Sequence, residues 1–148
     1  AGRIYLTTWG GEGLYYSDDD GETWSAAQPN LNDGRGGTSP WVAVYAIVED
    51  AADGVLYLSA NNGQIFRSLD NGGIWQQVGS LPEGSATTSW TLESDPSNPG
   101  TVYAGTAGHG VYKSDDFGYS WTQTTVTQLA AGDAAHIFDL EFNSTGSH

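Results

Sequence analysis

The chain has no cysteine and no methionine, and its only basic residues are Arg3, Arg35, Arg67 and Lys113. Lack of cysteine excludes a disulfide framework and thiol chemistry, and leaves the cellular compartment open. Against those four cations stand 18 acids, for a net charge of −14 across 148 residues. Such a charge repels phosphate backbones and anionic headgroups, so neither nucleic acid nor a membrane surface is an expected partner. No apolar run approaches the roughly 18–20 residues of a membrane-spanning helix, and no charged-then-apolar signal segment opens the sequence. Residues 146–148 read as the beginning of a purification tag and are set aside.

What the chain does have is 21 glycines, 6 tryptophans and 8 tyrosines, a composition suited to sheets with many turns rather than to a helical bundle. It also repeats itself. The pattern Ser-x-Asp-x-Gly-x-x-Trp occurs three times, as Ser17, Asp19, Gly21, Trp24; as Ser68, Asp70, Gly72, Trp75; and as Ser114, Asp116, Gly118, Trp121. The serines lie 51 and 46 residues apart, the period of a four-stranded repeat unit.

Around the second motif, apolar runs at 42–48, 55–60, 64–68 and 74–78 predict strands A, B, C and D. Glycine- and asparagine-rich turns, including Asn61-Asn62-Gly63, separate them. The third motif predicts the same meander at 89–94, 101–106, 110–113 and 120–124. Trp90 aligns with Val44 and Phe138 and is expected in the core. Strands B to D of the first unit fall at 3–8, 13–17 and 23–27 with no strand A before them, while 136–142 has strand alternation and sits where a further strand A belongs. The predicted units are therefore 3–27, 42–78, 89–124 and 136–142.

The motif resembles the Asp-box (BNR) repeat of sialidases, two-propeller xyloglucanases and sortilin-type receptors. That resemblance implies an all-β chain of three four-stranded antiparallel propeller blades in the offset order BCD-ABCD-ABCD-A. Propellers close with roughly four to eight blades, so a homodimer giving a six-bladed ring is the expected assembly, its C-terminal strand A pairing with the partner's first strand B. A nine-bladed trimer is the second solution, and a fragment of a larger propeller or an engineered chain would carry the same signature. Membership would also imply an extracytoplasmic or secreted protein. The motif itself is structural: Asp accepts backbone N–H bonds, Gly adopts a conformation closed to other residues, Ser fixes the loop, and Trp starts strand D over the hairpin.

Function is expected elsewhere, on the face shared by the B–C turns and D–A connections. Trp9 and Trp41, with Asp33, Arg35, Asn61 and His109, form a candidate carbohydrate platform of aromatic planes and short polar groups. Asp139, Glu93 and Glu141 on the innermost strands are the candidates for glycoside hydrolysis, which needs paired carboxylates. The sialidase arginine triad has no counterpart, since Arg3, Arg35 and Arg67 fall in unrelated places. No cofactor is implied, and no metal site: in an EF-hand register the Asp18–Asp20 cluster would put Tyr16 first and Ala27 twelfth, where carboxylates are needed. The reading carried forward is a non-catalytic propeller scaffold or carbohydrate-binding module, with a glycoside hydrolase fragment as the alternative.

Overall fold

In the computed structural model, residues 2–8, 13–27, 43–82, 88–125 and 136–143 are described. Among them the chain is all-β, in three antiparallel sheets. Sheet 1 contains β1 (Ile4–Thr7), β2 (Leu14–Ser17) and β3 (Ser25–Ala26). Sheet 2 contains β4 (Val44–Glu49), β5 (Leu56–Ala60), β6 (Gln64–Ser68) and β7 (Gln76–Ser80). Sheet 3 contains β8 (Ser89–Ser94), β9 (Val102–Thr106), β10 (Val111–Ser114) and β11 (Thr122–Gln123). Strands neighbouring in sequence are neighbours in space throughout, because short turns suffice to join antiparallel strands.

Burial explains the strand patterns. All five residues of β5 are buried, since sheet 2 is covered on both faces and the pleat sends alternate side chains to opposite sides. Leu56, Leu58 and Phe66 join one apolar cluster with Leu14 of sheet 1. Tyr57 and Ile65 join a second with Leu92, Val102 and Ala104 of sheet 3. Each such side chain contributes about 1.5–3 kcal/mol when fully buried, so these inter-sheet seams hold the molecule together.

Three local differences from the sequence expectations have physical causes. The last strand of each unit starts two residues late, at Gln76 rather than 74 and at Thr122 rather than 120, because the motif turn uses the residues through Trp75 and Trp121. The Asn61–Gly63 connection is a 3-10 turn, with Asn62 at φ 60°. Trp90 is not core: the ladder pairs Ser89 with Thr106 and Thr91 with Gly105, leaving Trp90 in a bulge. There it is half-buried, and its ring packs 4.8 Å from Phe138 and 5.5 Å from His136. Tyr45 occupies the equivalent bulge of sheet 2, so the alignment of Trp90 with Val44 is off by one.

Candidate functional site

Each motif turn is built around a serine at the end of a strand. Ser17, Ser68 and Ser114 are buried; each hydroxyl donates to its aspartate at 2.7–2.8 Å and accepts the N–H of its glycine at 2.9 Å. The aspartates also accept the N–H groups of Thr23, Ile74 and Ser120 at 2.8–2.9 Å. These donors favour the charged carboxylate. The Thr23 hydroxyl, backed by its N–H and by Ser17, holds Asp19 down to about 2. Asp70, chiefly through Ser68, and Asp116, chiefly through Ser120, are lowered too. The residue before each glycine takes a left-handed conformation: Asp20 at φ 59°, Asn71 at 53° and Phe117 at 61°. That turns its carbonyl outward, away from its own sheet's ladder.

The outward carbonyls meet the preceding sheet. At the first junction the Tyr5 hydroxyl donates to the Asn71 carbonyl at 2.5 Å, and Arg3 Nη1 donates to the same oxygen at 3.1 Å. Arg3 lies over the Tyr16 ring, 4.0 Å from its centroid, and is paired with Asp18 at 2.8 Å. At the second junction Arg67 donates to the Phe117 carbonyl at 3.3 Å and to the Tyr119 hydroxyl at 2.9 Å. A Cβ on Gly72 would strike the Tyr5 hydroxyl, and one on Gly118 would press on Val78, which shows how closely each turn seats. The carboxylate of buried Asp50 adds a further tie from sheet 2, accepting the Gly100 N–H of sheet 3 at 2.9 Å. Arg3 and Arg67, scattered in sequence, therefore do the same work at successive junctions. Their separation from the carbonyls they hold, 68 and 50 residues, hid this from a reading along the chain.

Of the ligand candidates, Trp9, Asp33, Arg35 and Trp41 lie outside the described residues. Asn61 opens the B–C turn of sheet 2, and His109 stands in the equivalent turn of sheet 3, where its carbonyl accepts from Gln123 at 2.7 Å. Both are half-buried and lie at the end of their sheets opposite the motif turns. Glu93 and Glu141 line one cleft of about 150 Å³ together with Tyr103, Leu140 and Phe142. Glu93 accepts the Phe142 N–H at 3.4 Å, while Asp139 is exposed to solvent.

Segment 136–143 forms no strand within the single chain. It is tied to sheet 3 by one bridge, Ala107 to His136, and by the Ile137 N–H donating to the Thr106 carbonyl at 2.9 Å. Ile137 seats against Gly105, where a Cβ would collide with its methyl, and the Phe142 ring meets Tyr103 edge-on at 5.5 Å.

No protein-family model matches the chain, and no curated protein matches it. Solved structures do. YCF48 bound to D1 peptide is similar at 17% identity and TM-score 0.59, over 76% of this chain and 33% of that one. The GH74 xyloglucanase of Xanthomonas campestris is similar at 24% identity and TM-score 0.61, over 80% of this chain and 18% of that one. The extracellular domain of the hybrid two-component system BT4673 from B. thetaiotaomicron is similar at 15% identity and TM-score 0.60, over 88% and 16%. The chain thus spans a third or less of the length of these proteins. At such identities the likeness speaks to architecture alone. These neighbours are β-propeller proteins, and the three sheets are a propeller-like fold.

Proposed function

We propose that the chain is half of a six-bladed ring, closed by a second copy, and that the ring is a non-catalytic scaffold whose B–C turn end takes a ligand. One observation carries this: the unpaired edge of β1 and the extra segment 136–143 complement each other. β1 has no ladder partner on the edge away from β2 among the described residues, and Ile4 and Leu6 along it are 42% and 45% exposed. At the other end of the arc, segment 136–143 rests on sheet 3 with Phe138 70% exposed. It sits over Gly105 as β8 sits over the equivalent Ser59, whose hydroxyl donates to the Ser89 carbonyl at 3.1 Å. In the ring this segment pairs with β1 of the second copy and supplies the missing inner strand of its sheet. Sedimentation equilibrium is expected to give the mass of two chains, and deletion of residues 136–142 the mass of one. A wild-type monomer at micromolar concentration sinks the proposal.

The ligand of that scaffold is read as a glycan, from the sequence, where Trp9 and Trp41 fall in segments rich in Asn, Asp and Gly. On a glycan array Trp41→Ala abolishes retention while circular dichroism is unchanged; a peptide array gives the competing answer, in line with the YCF48 neighbour. A second reading is favoured by the cleft that Glu93 and Glu141 share and by the xyloglucanase likeness: hydrolysis of a β-glucan. It requires turnover on a polysaccharide panel that disappears in Glu93→Gln or Asp139→Asn.

A further inference from the structure

The three motif turns are chemically alike but differently covered. Trp75 is 3% exposed and Trp121 8%, while Trp24 is 41% exposed. Trp75 shares its apolar cluster with Leu14 and Ala27 of sheet 1, and Trp121 shares its cluster with Tyr57 and Ile65 of sheet 2. Trp75 and Trp121 are thus each buried by the preceding sheet, and among the described residues no sheet stands before sheet 1 to bury Trp24. The glycines agree: Gly72 and Gly118 press against Tyr5 and Val78 of the sheet before, whereas a Cβ on Gly21 would meet only its own Trp24, at 3.8 Å.

The receiving face shows the converse. Tyr5 pairs across its sheet with Tyr16, Tyr57 with Arg67 and Tyr103 with Lys113, so these are the same register position three times over. Leu14 and Ile65, on the two occupied faces, are fully buried; their counterpart Val111 on sheet 3 is half-buried. Lys113 lies 5.7 Å from the ring centroid of Tyr103, its cross-strand neighbour, whereas Arg67 at the same register position reaches Tyr119 of the next sheet, 5.0 Å away. Lys113 borders a cleft of about 350 Å³ that also includes Asp115, Thr122 and Thr124.

We propose that Trp24 of one copy seats on the Tyr103, Val111 and Lys113 face of the second copy, with the Asp20 carbonyl accepting from the Tyr103 hydroxyl and the Lys113 ammonium. This rests on the dimeric ring proposed above and names the chemistry that closes it. The intermolecular junction combines what the two internal ones use separately, a tyrosine hydroxyl on the turn carbonyl as in Tyr5 to Asn71 and a cation from the Lys113 register position as in Arg67 to Phe117. The acceptor turn here carries Asp20 where the others carry Asn71 and Phe117, and it meets Lys113, which is ion-paired with Asp115 at 2.8 Å as Arg3 is with Asp18 at the first junction.

Sedimentation equilibrium of Trp24→Ala and of Lys113→Glu, with circular dichroism to verify folding, tests the assignment. Each substitution acts at both junctions of a two-fold ring, so a tenfold loss at one junction becomes about a hundredfold in the dimer constant. Both variants are expected to stay folded and to dissociate at least that much more readily, and adding Asp20→Lys to Lys113→Glu is expected to restore association. A dimeric wild type whose two variants associate unchanged overturns the latch and leaves the ring standing. A monomeric wild type overturns the ring and the latch with it.

Discussion

At the scale of single residues, the motif aspartates are acceptors before they are charges. Two or three donors converge on each, and those bonds are lost on unfolding, when the carboxyl returns to its ordinary value of about 3.9. A folded-state pKa below the unfolded one means that the contribution is fully present above about pH 4 and is lost as the pH falls through the folded value. For Asp19 the window runs down to about 2. The urea midpoint of the wild type should therefore fall between pH 4 and pH 2. A variant carrying Asp19→Asn, Asp70→Asn and Asp116→Asn starts lower and stays flatter across the same interval. Equal slopes would show that the turn carboxylates do not set the acid limb. Tyr5 adds a residue that remains a donor throughout, since burial raises its hydroxyl pKa.

Elements are held by fit at their junctions more than by their ladders, because β3 and β11 are only two residues long. Gly79 marks the tightest place. A Cβ there would run into the carbonyl oxygen of Gly118 and lie 3.1 Å from that of Tyr119, both backbone and unable to turn aside. Gly79→Ala is expected to destabilise by about 1–3 kcal/mol in urea unfolding, an overpacking cost without any change in polarity. The same scale shows what was legible beforehand. Ser68 to Trp75 marked a turn, and the three sheets and their order of strands followed from the spacing. The shift of β7 to Gln76 and the bulge at Trp90 did not, because a one-residue slip in a ladder leaves composition and alternation almost unchanged. Nor was the pairing of Tyr5 and Arg3 with Asn71, which exists only once two sheets are stacked. For the ligand site, Asn61 and His109 were placed in turns from their Asn- and Gly-rich surroundings, but nothing in those residues states what they bind.

As a whole molecule the chain is an arc with two different ends, and its charge of −14 works against bringing copies together. A junction that pairs Asp20 with Lys113 offers one local exception to that repulsion. Because the turn that enters and the face that receives belong to opposite ends, they can be damaged independently. Trp24→Ala spoils only what a copy inserts, and Lys113→Glu only what it accepts. Homodimers of either variant contain two impaired joints. A mixture of the two can instead form a heterodimer with one joint wholly intact and both lesions confined to the other, where two partners of one contact, lost together, cost less than the sum of their separate losses. Light scattering of the equimolar mixture should then show more two-chain mass than either variant alone at the same total concentration, and no excess would argue against separate inserting and receiving ends. In the proposed ring, the exposed Trp24 thus gives the protein a route to complementation in trans, as two defective copies that restore one another.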